Sequence, residues 1–451
     1  MKSALVSLAA IAALVLATSS GVQGDESTTS TKSALELRPV IEKNVNEDLD
    51  HLKDVYEDIH RHPELSYNEE RTAAKLAGLM RELGFQVTEK VGGEGIVCVL
   101  KNGDGPTLLI RTDMDALPVT EQTGLPYASQ VRTRDKNGND VGVMHACGHD
   151  MHMTVWLGTA KVLSSLKDHW HGTLVFIGQP AEEVGGGARK MIEDGLFRRF
   201  PRPDWCLALH CHSSTGYGDI AYTEGQALAN VDSVDITVRG KGGHGSAPHT
   251  TIDPIVLAAR IILDLQMLVS RENNPGDPAV ITVGSIHGGT KHNIIPSEVK
   301  LQLTVRTTKD SVRKNILDGI ARIAKADAMG ARAPEPIVHV DPGEFTPALV
   351  NNAELTQKTV ALFRELLGND HVRTLPPSMG GEDFSRYGRE GVPVFMYSLG
   401  TVDPRRAAEA RREGAAPLPS LHSDRYYPVP EPSIRWGVLT MSMAALNVLG
   451  K

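Results

Sequence analysis

The sequence predicts an α/β protein, a sheet covered on both faces by helices and interrupted by a smaller β-rich insert. Three observations predict it. Short apolar runs of strand length alternate with segments of helical spacing. Polar clusters follow directly on the apolar runs: Asp113 and Asp115 after "LLI", Glu182 and Glu183 after "LVFIG", His210 at the end of "CLAL". Open α/β sheets bind ligands beyond the carboxyl ends of their strands, so these residues should gather along one rim. From about residue 230 the texture changes to β-α-β-β-α-β, the split-βαβ order of ferredoxin-like domains.

Taken in order, the chain opens with Lys2 and the apolar run "ALVSLAAIAALVLA", then small residues ending at Gly24. The run is too short for a comfortable membrane span and reads as a secretory signal peptide over 1–24. It implies export to the periplasm or the cell exterior, without a membrane anchor. Residues 25–46 are expected to be a flexible leader. The first part of the main domain, 47–229, starts with two amphipathic helices, "LDHLKDVYEDIHRHPELS" and "NEERTAAKLAGLMRELGF". "GIVCVL" and "TLLIRTD" read as strands, "MTVWLGTAKVLSSL" as a helix and "TLVFIGQ" as a strand. "GGGARKMIEDG" is a helix closed by Gly195, and "DWCLALH" is a strand. The insert, 230–343, runs "VDSVDITVRG", "DPIVLAARIILDLQMLV", "AVITVGSIHGG", "SEVKLQLTVRTT", "DSVRKNILDGIARIAKAD", "EPIVHVDP". The α/β texture resumes over 344–451 and closes with "SIRWGVLTMSMAALNVLG"; "DPRRAAEARREGAAPLPS" is expected to be a solvated loop.

Net charge is −8 and no Lys/Arg run or basic stripe occurs, which argues against nucleic acid as the main partner. Four cysteines, Cys98, Cys147, Cys206 and Cys211, are too few for a disulfide scaffold.

The chemistry concentrates in "GVMHACGHDMHM", 142–153. Cys147 and His149 offer a thiolate and an imidazole, ligands for borderline-soft divalent metals. The adjacent carboxylates of "QPAEE" can divide labour, one binding metal while the other faces a water, which is what metal-assisted hydrolysis requires. In "ALHCH", His210 and His212 face the same side of an extended strand, so either could be a ligand; "SLHSD" adds His422. In the insert, "GKGGHGSAPH", "GGTKHNIIP" and "VRTT" place His244, Asn293 and Arg306 where they could polarise a carbonyl and grip a carboxylate.

Eight motifs, in order "HRHPELSYNE", "RTDMDALP", "HACGHDMH", "QPAEE", "GGHGSAPHTTIDP", "VGSIHGGTKHNIIP", "GGEDFS" and "LHSD", make the chain resemble the two-metal amidohydrolases that include hippurate hydrolases, aminoacylases and indole-3-acetyl-amino-acid hydrolases. The resemblance implies a mixed-sheet metallopeptidase (phosphorylase/hydrolase-like) catalytic domain with a ferredoxin-like lid that dimerises. It implies two divalent metals (Zn, Mn, Co or Ni) held by Cys147, His149, Glu183, His210 and His422, with Cys147 bridging. Glu182 is the implied general base and later acid, and Asp115 orients a ligand. His244 is implied to act on the oxyanion, from the partner subunit of a homodimer; Asn293, Arg306, Gly380 and His249 match substrate-contacting positions. The implied substrate is an N-acyl amino acid, with dipeptidase or metallocarboxypeptidase action as the alternative. Two rivals stand beside this. A hydrolase using Cys147 as nucleophile would be indifferent to chelators, and a catalytically silent relative would lack a ligand or the base, of which none is missing. Asp424, where the family usually has proline, and the long Arg/Ala-rich 401–420 segment are departures that bear on substrate preference.

Overall fold

A computed structural model describes residues 34–135 and 137–450. The signal-peptide assignment lies outside the described residues.

The main sheet has eight strands in the order Gln86–Thr88, Ile96–Asn102, Gly172–Gln179, Thr107–Asp113, Trp205–Gly216, Val394–Val402, Ile220–Tyr222, Val372–Thr374. The four strands at its centre are mutually parallel, and antiparallel pairs flank them on both sides. Because successive side chains on a strand point to opposite faces, each run feeds two cores. Cys98, Ile110, Phe176, Leu209 and Tyr397 pack under the helices Arg38–Arg61, Glu70–Glu82, His149–Ser165, Ala353–Leu367 and Pro430–Leu449. Val97, Leu109, Val175 and Ala208 pack on the other face against Met191 and Tyr387. Helices His149–Ser165 and Pro430–Leu449 cross closely because Gly158 and Gly437 lie at the contact. A Cβ on either would stand 2.6 Å from Val438 or 2.4 Å from Val155.

Two expectations need correction here. Residues 34–46 are not leader: Ile41, Val45, Leu49 and Leu52 make one buried stripe of the helix Arg38–Arg61, which packs on the main core. The polar stretch before them hid where that periodicity begins. The first half of the supposed solvated loop is the helix Pro404–Ala410. Asp403 caps it by accepting from the amides of Arg405 and Arg406, and Ala407 is buried.

The insert carries its four antiparallel strands in the order Ala279–Gly288, Glu298–Thr307, Asn230–Arg239, Ile337–Val340. Helices Pro254–Met267 and Asp310–Gly330 cover one face, burying Ile236, Leu301 and Leu303 against Ile261 and Ile320. The two connections to the main domain pair with each other at Val231 with Thr346 and Gln226 with Val350.

Candidate metal centre and active site

Four segments build the site: the turn at Cys147 and His149, the pair Glu182 and Glu183 after the strand Gly172–Gln179, His210 on the strand Trp205–Gly216, and the loop that carries His422. Gly148 turns the chain into the helix His149–Ser165 with φ 83°, and a Cβ there would meet Cys211 Sγ at 3.0 Å. That turn lets Cys147, before it, and His149, after it, face one point. Cys147 Sγ lies 3.5 Å from His210 Nε2. Glu183 reaches both ways, Oε1 to 3.8 Å from His149 Nε2 and Oε2 to 3.5 Å from His422 Nε2. The ligand atoms of Cys147, His149 and His210 fall within 4.8 Å of one another, as do those of Cys147, Glu183 and His422. The thiol is common to both sets. Two ligands about 2.0–2.3 Å from a tetrahedral cation stand roughly 3.3–3.8 Å apart, so these spacings suit shared cations.

The unoccupied valences point the same way. His149 Nε2 and Glu183 Oε1 are buried without a hydrogen-bond partner. Their other atoms, and those of their neighbours, are held. His149 Nδ1 donates to Asp115 O at 2.8 Å and His210 Nδ1 to Cys211 O at 2.8 Å, leaving each Nε2 lone pair to the centre. The Asp115 carboxylate accepts the amides of Glu182 at 3.1 Å and Glu183 at 3.0 Å, and the Ser66 hydroxyl at 2.6 Å. His422 has φ 68°, and its amide donates to Ala146 O at 2.8 Å. Asp113, His149 and His152 also lie within reach of one cation. Asp113 and His152 are nevertheless spent: His152 Nδ1 donates to Asp113 at 2.7 Å and its Nε2 accepts the Cys211 amide, while Arg111 holds the other Asp113 oxygen at 2.7 Å. We therefore assign that pair to support of the centre.

Electrostatics favour an added cation. Burial, then the charge of Glu382, Glu183 and Asp383, pushes the Glu182 carboxyl well above its ordinary range. Burial pushes Glu183 up to about 7, with the charge of His149 opposing. Burial, with Glu183 and Glu182, raises the Cys147 thiol. Glu183 and Cys147 hold protons more tightly than free side chains do, and a divalent ion competes directly for those positions.

A cavity of about 770 Å³ opens on Cys147, Glu182, Glu183, His210 and His422 and runs to Arg306 and Gly380. Leu228, Val231, Leu375 and Met396 line its apolar stretch. Arg306 is half-buried, bonding Thr304 Oγ1 at 3.0 Å and Met379 O at 3.5 Å, and pairs with no carboxylate among the described residues. Of the two histidines on the 205–216 strand, His210 faces the thiol; His212 bonds Thr215 Oγ1 at 2.9 Å.

His244, His249 and Asn293 do not join the site within one chain. His244 is exposed on the small ribbon of Gly243–His244 with Ile294–Ile295, its Nδ1 taking the Ser246 amide at 3.1 Å. Asn293 precedes that ribbon and is exposed, as is His249 in the turn Pro248–Thr250; none of the three lines the cavity. The insert holds them on its tip, and motif order along the chain carries no information on that separation.

Sequence reasoning also missed a buried ionic cluster beneath Glu182. Arg111 donates to Asp113, to Glu382 at 2.8 Å, to Asp383 at 3.2 Å and to Gln179 Oε1 at 3.1 Å. Its signal was available: an arginine inside the apolar run "LLIRTD" must be paired if buried.

Residues 109–417 match the model of peptidase family M20/M25/M40. The chain is 35% identical to thermostable carboxypeptidase 1 of Saccharolobus solfataricus, over 92% of this chain and 100% of that protein. It is 37% identical to hippurate hydrolase of Campylobacter jejuni subsp. jejuni, over 72% of this chain and 82% of that one. Among solved structures it is similar to a dinuclear metal-binding peptidase of the M20 family from Bacillus subtilis. There the TM-score is 0.71 and the identity 29%, over 90% of this chain and 99% of that one. The chain belongs to peptidase family M20/M25/M40, and it is an enzyme acting on amide bonds.

Proposed function

We propose that this enzyme hydrolyses the amide bond of N-acyl amino acids, using two divalent cations held by Cys147, His149, His210, Glu183 and His422. The observation that carries the reading is the two three-residue sets that share Cys147, opening with Glu182 on a cavity that ends at Arg306, which pairs with no carboxylate among the described residues. When bound, the cations supply Lewis-acid polarisation of the scissile carbonyl and acidify water. Thiolate ligation favours Zn, Mn, Co or Ni over the oxygen-seeking Mg and Ca. Glu182, whose burial among carboxylates raises its proton affinity, acts from its carboxylate form: it takes one proton of the attacking water and returns it to the leaving amine. Arg306 receives the free α-carboxylate in a two-pronged hydrogen bond, and the apolar stretch at Leu228, Leu375 and Met396 accommodates the acyl group or side chain.

His244 reaches the developing oxyanion from a second copy of the chain. Dimerisation through the insert is supported by the open edge of the strand Ala279–Gly288 and by Val256, Leu263 and Met267. These last lie along one side of the helix Pro254–Met267 and are 67%, 71% and 49% exposed. Export by the N-terminal apolar segment belongs to the same proposal; among the described residues no helix is long and apolar enough to cross a membrane.

A second reading is peptide hydrolysis from the carboxyl end, favoured by the likeness to a carboxypeptidase and compatible with Arg306. The deciding experiment is a hydrolysis screen of N-acyl amino acids, dipeptides and longer peptides, with Zn, Mn, Co or Ni returned to chelated protein. Turnover of N-acyl amino acids only with metal supports the first reading. Full activity in verified metal-free protein would falsify the metal mechanism, and turnover of peptides alone transfers the assignment to the second reading.

A further inference from the structure

Glu69 is a buried acid that the mechanism does not use. Glu69 is fully buried and sits at the N-cap of the helix Glu70–Glu82, yet its side chain caps nothing. Glu64 has taken that task, accepting the amides of Arg71 at 3.0 Å and Thr72 at 2.8 Å. Glu69 instead accepts the amide of Ala181 at 2.7 Å, while its second oxygen has no partner.

Ala181 is where the strand Gly172–Gln179 turns to present Glu182 and Glu183. Its φ is 52°, a left-handed conformation that disfavours a residue with a Cβ, and it is fully buried. Such a conformation persists only where its surroundings over-determine it. The surroundings here are two acids gripping three successive amides: Glu69 takes Ala181, and the two oxygens of Asp115 take Glu182 and Glu183. The Ala181 carbonyl is held as well, by the amides of Gly186 at 3.2 Å and Gly187 at 3.1 Å.

We infer that Glu69 is a positioning residue for catalysis: by accepting the Ala181 amide it locks the strained turn that aims Glu182 into the cavity and Glu183 at the metal ligands. This rests on the proposed role of Glu182. Burial, then the charge of Asp115, pushes Glu69 up to about 8, and glutamine keeps an oxygen of the same reach to accept the Ala181 amide.

The test compares Glu69→Gln with Glu69→Met, which keeps the length and removes the acceptor. Steady-state kinetics, bound metal per chain and backbone amide exchange over residues 180–184 are measured together. In Glu69→Met, kcat falls on the order of tenfold to a hundredfold, the scale expected for orphaning a buried amide. KM moves less than about threefold, because ground-state contacts are intact. Metal content stays at the wild-type level and exchange across the turn accelerates. Glu69→Gln restores kcat and protection, and Ala181→Gly placed on Glu69→Met recovers part of kcat, because glycine is not penalised at positive φ. Wild-type kcat and exchange in Glu69→Met, or equal damage in both variants, overturns the inference. Should Glu69→Met not fold, Glu69→Gln decides alone, and loss of kcat or protection in it sinks the idea. Glu182→Gln separates the two layers. If that variant is inert while Glu69→Met is normal, only the inference about Glu69 fails; if it is fully active, the reading of the site fails first.

Discussion

The rim of the main sheet and the tip of the insert both carry histidines implicated in the reaction, and they are built in opposite ways. At the rim, His149 and His210 each spend one ring nitrogen on a backbone carbonyl, and Asp115 is bonded on both oxygens. His149 and Asp115 are buried and His210 is half-buried, in a frame of parallel strands. At the tip, His244 and Asn293 are exposed, and among the described residues the His244 ring bonds only the neighbouring Ser246. The difference teaches that the metal ligands converge within the single folded domain, whereas His244, in its proposed oxyanion role, would have to be delivered by another copy or by a moving insert.

Glu182→Gln presses hardest on the rim. Glutamine is nearly the same shape and cannot carry the proton, so kcat should fall on the order of 10²–10⁴-fold with both metals retained. Glu183→Gln should instead reduce the metal bound per chain, because its two oxygens face His149 and His422. Kinetics paired with elemental analysis would show the reverse pattern if the two roles are exchanged.

The tip is tested by His244→Ala, with kcat falling on the order of 10²-fold at unchanged metal content, as for loss of an oxyanion donor. Mixing the inactive Glu182→Gln and His244→Ala proteins through a denaturation or exchange step then asks where the histidine acts. If it acts across a dimer, about a quarter of the sites regain both groups. No recovery in a mixture shown to exchange subunits places His244 on its own chain's site and leaves insert closure as the means of delivery. A smaller effect belongs to Arg306→Ala, which should raise KM by about tenfold or more for substrates with a free α-carboxylate and much less for their amides. Equal losses for acid and amide rule out carboxylate recognition.

The same contrast explains what the sequence could reveal. Rim residues were legible because strand ends, a Cys-Gly-His turn and paired glutamates are local patterns, and motif order did the rest. The order of the insert's elements was legible for the same reason, through the period-two burial of "EVKLQLTV". What stayed hidden depends on distance in space. That His244 stands off the cavity, that Arg111 gathers acids from residues 113, 382 and 383, and that Glu69 reaches Ala181 all come from chain crossings with no local signature. The helical start at Arg38 was lost because the stripe Ile41, Val45, Leu49 begins within a polar context.

The smallest effect concerns how the rim is clamped from behind, through His60 of the helix Arg38–Arg61. Its Nδ1 lies 2.6 Å from Asp150, which follows the ligand His149, and its Nε2 lies 3.1 Å from Glu121; all three side chains are fully buried. With a carboxylate at each nitrogen, only the imidazolium donates to both. Burial lowers its proton affinity, but the bonds to Asp150 and Glu121 outweigh it and raise the pKa from an ordinary 6.5 to about 9. A group raised on folding stabilises fully below its unfolded pKa, and that contribution is lost as pH climbs through the folded one. The window is therefore from 6.5 to about 9. Below it, Asp150 and Glu121, both depressed by His60, set a separate loss as acid protonates them. Metal-loaded His60→Gln should melt below wild type at neutral pH, and the gap should narrow steadily as pH rises through that window. A gap that stays constant from pH 6 to about 10 would show that His60 packs there as a neutral ring and that the rim needs no charged clamp.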